Sequence, residues 1–220
     1  MSKHLIIAPS ILSLDYSHVD EQLDALRHSK AEWLHFDVMD GHFVPNLTFG
    51  PDILSGFKKA CPLFMDVHLM VDNPEFFAPI FIEHGADMIT FHTEALENDP
   101  VRIKNLINLI HSQGAKAGIT VKPKTKIEPF ADVLGDLDMV LIMSVEPGFG
   151  GQSFMEDQLE KVEWLDHMRK ELGLPFLIEI DGGINGSTYK KAIQSGCDVL
   201  VAGSYVFKGD IIHSIESLLQ

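Results

Sequence analysis

The feature that most constrains this chain is a rhythm. Eight short runs of apolar and β-branched residues recur near positions 4–8, 33–38, 64–69, 87–92, 115–121, 138–143, 176–180 and 198–202. Between and after them lie stretches with apolar residues at helical spacing, near 17–29, 50–60, 74–84, 101–113, 126–135, 155–172, 186–196 and 208–219. Short runs read as strands and the longer periodic stretches as helices. When strands and helices alternate, each helix carries the chain back so that successive strands lie parallel. Eight such units in 220 residues match the count and near the size of an α/β (β/α)₈ TIM barrel, so the expectation is one catalytic barrel domain over 1–220. A doubly wound open sheet is the competing architecture. Local punctuation agrees with the rhythm. Asn73-Pro74-Glu75 can cap and open a helix, and Gly85, Gly114 and Gly196 each close one.

A barrel makes a demand on chemistry: functional side chains belong where the strands end. Run two reads Trp33-Leu34-His35-Phe36-Asp37-Val38-Met39-Asp40-Gly41. His35 and Asp37 are two apart and share a strand face, while Leu34, Phe36 and Val38 face the surrounding helices. Run three places Asp66, His68 and Met70 on one face, and run seven ends at Asp181. Taken singly, an inward histidine reads as a hydrogen-bonded packing residue and a strand-end aspartate as a helix cap. Together they read differently, because charged groups inside a barrel are costly unless paired or metal-bound. Two imidazoles and two carboxylates can hold one divalent metal ion, Zn²⁺, Fe²⁺ or Mn²⁺. Asp37 and Asp181 would lie three strands apart around the ring. They can therefore serve as base and acid on opposite faces of a carbon, with the metal steadying the anionic oxygens of an enediolate.

Charge narrows the partners. With 17 basic and 32 acidic residues the net charge is −15, a field opposed to nucleic acid and anionic membranes. The apolar runs are far shorter than the roughly 20 residues that span a bilayer. Cys61 and Cys197 show no metal or redox spacing and read as reduced thiols. The opening Met1-Ser2-Lys3-His4 leads into no secretory pattern, so a cytoplasmic location is expected. An anionic ligand would need backbone amides here. Glycines supply them after run six (Gly148-Phe149-Gly150-Gly151), run seven (Gly182-Gly183) and run eight (Gly203-Ser204), where barrel phosphate sites commonly form. None of Arg27, Arg102 and Arg169 sits at a strand end, so an arginine clamp is not expected.

Long motifs carry a resemblance. Ala8-Pro9-Ser10-Ile11-Leu12, the segment Trp33 to Asn46, Asp66-Val67-His68-Leu69-Met70-Val71, Pro147 to Phe154, Asp181-Gly182-Gly183-Ile184-Asn185 and Val201-Ala202-Gly203-Ser204 together resemble the ribulose-phosphate 3-epimerase family. The resemblance implies interconversion of D-ribulose 5-phosphate and D-xylulose 5-phosphate, a step of the pentose phosphate pathway. It implies His35, Asp37, His68 and Asp181 as metal ligands, with Asp37 and Asp181 also the acid/base pair. Ser10 and His68 would contact substrate, and Met39, Met70 and Met143 would cushion it. Gly148, Phe149, Gly150, Gly151, Gly182, Gly183, Gly203 and Ser204 would form the phosphate loops. Loop 42–47, with Phe43 and Pro45, resembles the family's lid, and a homo-oligomer such as a hexamer is implied.

Two positions depart from the family pattern. Lys122 and Glu146 stand before Pro123 and Pro147, where the family usually has asparagine. They are expected to form a compensating ion pair, and they bear on how long a sugar is accepted. An allulose-6-phosphate 3-epimerase, which takes a ketohexose phosphate, is therefore the alternative. A related barrel decarboxylase would need a lysine beside the run-three carboxylate, and none is there. A non-enzymatic sugar-phosphate sensor would be expected to have lost a carboxylate or ligand, and none is lost.

Overall fold

The computed structural model describes residues 4–220. Eight strands are present: β1 Ile6–Pro9, β2 Trp33–Met39, β3 Phe64–Met70, β4 Met88–His92, β5 Lys116–Val121, β6 Met139–Met143, β7 Leu177–Asp181 and β8 Val199–Ala202. All pairings are parallel, in the order β1-β8-β7-β6-β5-β4-β3-β2. A parallel bridge between Ser10 and His35 joins β1 to β2 and closes the ring. The (β/α)₈ barrel is therefore the fold, and the open-sheet alternative is excluded.

Helices α1 Val19–Arg27, α2 Pro51–Ala60, α3 Pro74–Glu83, α4 Pro100–Ser112, α5 Leu159–Leu172, α6 Tyr189–Ser195, α7 Ser204–Phe207 and α8 Ile211–Leu218 wrap the barrel. Their starts follow capping chemistry. Asn73 accepts a hydrogen bond from the Phe76 N–H with Pro74 in the first turn, and Asp99 accepts from Val101 ahead of Pro100. Gly85, Gly114 and Gly196 all have positive φ at helix ends, as expected of residues that stop a helix.

One stretch differs from its expectation. Residues 126–135 form no α-helix; a 3₁₀ segment spans Glu128–Asp136. Pro129 lies at its start, and buried Phe130 and Val133 are three apart, the repeat that a 3₁₀ turn aligns. The short α7 directly after β8 precedes the helical stretch expected near 208–219, which does not contain it.

Strand alternation sorts the core into two parts. Leu34, Phe36 and Val38 of β2, with Met65, Val67 and Leu69 of β3, join the large cluster between barrel and helices. Inside, the amino-terminal end is plugged by Ile6, Ala8, Trp33, Met88, Met139, Val199 and Val201. Gly118 of β5 is required there, since a Cβ would meet Thr90 Oγ1 at 2.6 Å. Above that plug the interior turns polar: His35, Asp66, Thr90 and Glu179 are fully buried. Charged groups are not left at that depth without a purpose in pairing or ligation.

Candidate active site

Register brings the strand-end residues together. In the β2–β3 ladder His35 pairs with Asp66 and Asp37 with His68, so four polar groups form a square on the inner face. Asp181, the last residue of β7, reaches the same place from across the ring. His35, Asp37, His68 and Asp181 each offer one donor atom within 4.8 Å of the others, a grouping that can hold a metal ion. His35 Nε2 lies 3.3 Å from Asp37 Oδ1 and is buried without a hydrogen-bond partner. His68 Nδ1 lies 3.2 Å from the same oxygen. A partnerless buried imidazole nitrogen aimed at two carboxylates suits a cation, and an N₂O₂ set suits Zn²⁺, Fe²⁺ or Mn²⁺ alike.

The electrostatics of the two carboxylates diverge. Burial alone would raise Asp37, but His35 and His68 overcome it and hold the carboxyl well below its usual range. Ser10 Oγ adds a hydrogen bond of 2.7 Å to Asp37 Oδ2. Asp181 is pushed up to about 6, first by burial and then by the charge of Asp37. Burial opposes a charged His35, yet Asp37 and Asp66 hold its proton affinity well above the ordinary value. Two carboxyl groups of unequal proton affinity on different sides of one cavity can trade protons with an atom held between them.

That cavity, about 390 Å³, opens at the carboxyl ends of the strands. Its wall includes Ser10, Asp37, Met39, Met70, Met143 and Asp181. The opposite rim carries Gly148, Phe149, Gly150, Gly151, Gly182, Gly183, Gly203 and Ser204, so every glycine-loop position singled out in the sequence lies on it. Gly183 sits at a φ of 65°, where a Cβ would stand 2.6 Å from the Phe154 nitrogen. Among the described residues, no lysine or arginine lines the cavity. All three arginines are occupied elsewhere: Arg27 with Asp24, Arg102 with Glu75, Arg169 with Asp166 and Asp198.

Loop 42–47 lies against the same cavity. Val44 and, part-buried, Phe43 pack with Met39 and Met70. Asp40 Oδ1 accepts from the His42 and Phe43 N–H groups, and Asn46 Nδ2 donates to the Gly148 carbonyl at 2.8 Å. The loop is thereby tied to the glycine-rich rim.

Sequence reasoning placed Asp66 on the inner face without a role and missed Glu179, His92 and Glu94. Asp66 Oδ2 is 2.6 Å from His35 Nδ1, and Glu179 Oε1 is 3.8 Å from the same nitrogen. Burial and then the Asp66 charge raise the proton affinity of Glu179 well above the usual range. His92 Nε2 is 2.9 Å from His68 Nε2, and its other nitrogen faces Glu94. The signal was present: His92 ends β4 and Glu94 follows two residues on, the spacing that singled out His35 and Asp37. One expectation is corrected. Lys122 and Glu146 form no ion pair among the described residues; Lys122 Nζ instead sits 4.0 Å above the Phe43 ring, while Glu146 is exposed. The aromatic face of the loop offers the cation a partner at hand.

Fold and site define a class: a (β/α)₈ barrel with an imidazole- and carboxylate-lined pocket beside a glycine-rich anion cradle. The chain belongs to the ribulose-phosphate 3-epimerase family, whose model matches residues 6–207. It is 47% identical over 205 residues to a ribulose-phosphate 3-epimerase of Mycobacterium bovis, covering 93% of this chain and 87% of the relative. A ribulose-phosphate 3-epimerase of Treponema pallidum is 43% identical, covering 96% and 95%. In fold the chain is also similar to a 3-keto-L-gulonate-6-phosphate decarboxylase of Vibrio cholerae, at a TM-score of 0.70 with 14% identity, covering 99% and 96%. That last likeness speaks to the barrel alone.

Proposed function

We propose that this protein epimerises C3 of a ketose phosphate, interconverting D-ribulose 5-phosphate and D-xylulose 5-phosphate with a divalent metal ion. The observation that carries the reading is the convergence of His35, Asp37, His68 and Asp181, one donor atom each within 4.8 Å, in a chain of this family. These four residues would hold the metal. When bound, the ion supplies positive charge beside the substrate oxygens that become anionic as the proton leaves.

The remaining steps belong to the side chains. One carboxylate of the Asp37–Asp181 pair removes the C3 proton, and the electron pair passes into the C2 carbonyl to give an enediolate. The other carboxyl group, reaching the opposite face, returns a proton to C3 with inverted configuration. The reverse reaction exchanges the two roles. Ser10, bonded to Asp37, holds that carboxylate in place and is within reach of substrate. Met39, Met70 and Met143 line the wall with soft, uncharged surface that offers no competing proton. The phosphate would be received by the loops at Gly148–Gly151, Gly182–Gly183 and Gly203–Ser204, whose amides bind an anion despite the chain's negative charge. Loop 42–47 would shield the enediolate from water.

The reading includes one catalytic domain over the whole chain, working in the cytoplasm as a homo-oligomer. Buried thiols at Cys61 and Cys197 suit a reducing compartment. No described helix is long and apolar enough to cross a membrane. The deciding experiment loads the purified protein with Zn²⁺, Fe²⁺ or Mn²⁺ and compares ribulose 5-phosphate with allulose 6-phosphate, measuring metal content on the same sample. Preference for ribulose 5-phosphate supports the reading. Preference for the hexose phosphate transfers it to the longer sugar, and turnover of neither ends it.

A further inference from the structure

His68 meets two different partners through its two nitrogens. Nδ1 faces Asp37 Oδ1 at 3.2 Å, and Nε2 faces His92 Nε2 at 2.9 Å. A contact between two imidazole nitrogens is a hydrogen bond only when one carries the proton and the other a lone pair. Which is which follows from the far side of His92. Its Nδ1 lies 3.4 Å from Glu94 Oε2, and an ionised carboxylate can only accept. His92 therefore keeps its proton on Nδ1 and presents a bare Nε2 to His68. With a cation in the site, His68 turns its Nδ1 lone pair to the ion and must donate from Nε2 to His92. Without one, Asp37 at 3.2 Å, also an acceptor only, competes for a proton on Nδ1.

The end of this relay is itself fixed. Glu94 Oε1 accepts the Lys122 backbone N–H at 2.7 Å. The Lys122 ammonium lies over Phe43, and the Phe43 ring stands 4.8 Å from the His92 ring. His92 is fully buried, so its ring has no water to turn toward. One residue, Lys122, thus braces both ends of the relay, with its main chain on Glu94 and its side chain on the ring that covers His92.

We propose that His92 and Glu94 are positioning residues for the metal site: a carboxylate–imidazole relay that sets the tautomer of His68 so that Nδ1 is its ligating atom. The proposal rests on the metal-site reading given above. A ligand imidazole whose other nitrogen is held by an outer partner keeps its orientation and basicity, and loss of such partners typically costs metal affinity.

The test uses the full-length protein. Imidazole-nitrogen NMR of the Zn²⁺-loaded wild type should show His68 protonated on Nε2 and His92 on Nδ1. Glu94→Gln, whose amide can donate to His92 as well as accept, should leave His92 a mixture of tautomers and weaken Zn²⁺ binding about tenfold to a hundredfold in a chelator competition. Glu97→Gln, at the exposed partner of Arg102, should change neither. A Zn²⁺-loaded wild type whose His68 carries its proton on Nδ1 overturns the proposal outright. So does a Glu94→Gln protein that melts normally, binds Zn²⁺ like the wild type and keeps the His92 tautomer. The wild type's turnover of ribulose 5-phosphate is read separately. Its absence alongside an intact tautomer signature would remove the epimerase reading and leave the relay standing.

Discussion

The two sides of the cavity are built from different materials. On the β2–β4 side every group that could act is a side chain: His35, Asp37, His68 and His92, all buried and each with a specific partner. On the side of the loops after β6, β7 and β8 the rim is mostly glycine, and what it offers is main chain. The difference separates two tasks. Proton and metal chemistry needs groups whose charge can be tuned, and tuning comes from burial and neighbouring charges. Anion binding in a chain of net charge −15 needs fixed dipoles that carry no counter-charge to desolvate, and backbone amides provide them.

If that division holds, substitutions on the two sides should fail in different kinetic parameters. The largest effect is expected at the two carboxylates, Asp37 in the side-chain half and Asp181 where β7 meets the glycine rim. Asp37→Asn and Asp181→Asn each keep shape and remove the carboxylate that carries a proton. Each should lower kcat by about 10²–10⁴-fold while the folded state, followed by circular dichroism and melting, is kept. Substantial turnover in both variants would defeat the two-carboxylate mechanism. A loss confined to metal occupancy, restored in full by excess metal, would demote the pair to ligands.

The rim should answer to shape. Gly183→Ala places a Cβ 2.6 Å from the Phe154 nitrogen and 2.7 Å from its Cα, at a φ of 65°. Backbone cannot step aside as a flexible side chain can. A destabilisation on the order of 2–4 kcal/mol is expected, together with a raised KM for the ketose phosphate. Gly151→Ala has a similar φ of 75° but open space around the new atom, so only the conformational cost of about 1–2 kcal/mol should remain. Paired thermal melts and KM values of the two variants check this. Equal losses in both would mean that the close approach at Gly183 is not what shapes the rim.

The same contrast explains what could be read from the sequence. The barrel was legible because strand and helix periods leave different marks, and His35, Asp37 and His68 because alternation puts them on one face. Glycines were legible as punctuation, and all of those assigned to the anion-binding loops do line the cavity. What escaped depends on distances between strands rather than along them. Asp66 was visible on the correct face, but its contact with His35 needs the β2–β3 register, which no local pattern states. His92 and Glu94 have the right spacing, yet their link to His68 exists only because β3 and β4 are neighbours. Lys122 went to Phe43 rather than Glu146 because the loop that brings Phe43 across is folded by Asp40 and Asn46, far away in sequence. The 3₁₀ segment at Glu128–Asp136 was misread because spacing by three and by four look alike over two turns.

The smallest expected effect concerns how the two halves meet at Asp181. In the metal-free protein this carboxyl binds its proton more tightly than in the unfolded chain, about 6 against 3.8. A raised carboxyl value means the folded state is penalised once the group ionises. The penalty is absent below about pH 4, grows as pH rises through the window from 4 to 6, and is complete above it. Between pH 5 and 7.5 it grows by about 1.4 kcal/mol, a few degrees in Tm for a chain of this size. Asp37, held low, changes stability only below 3.8, outside that window. His92, lowered to about 4 chiefly by burial, acts there with the opposite sign, because stability is lost as pH falls and the ring must charge. The comparison is therefore between wild type and Asp181→Asn, both stripped of metal, melted from pH 5 to 7.5. The variant should gain on the wild type as pH rises, and added Zn²⁺ should reverse the order by stabilising the wild type more. Parallel melting curves for the two proteins would show that Asp181 is an ordinary solvated carboxylate, and the divergence of the two acids would be lost with it.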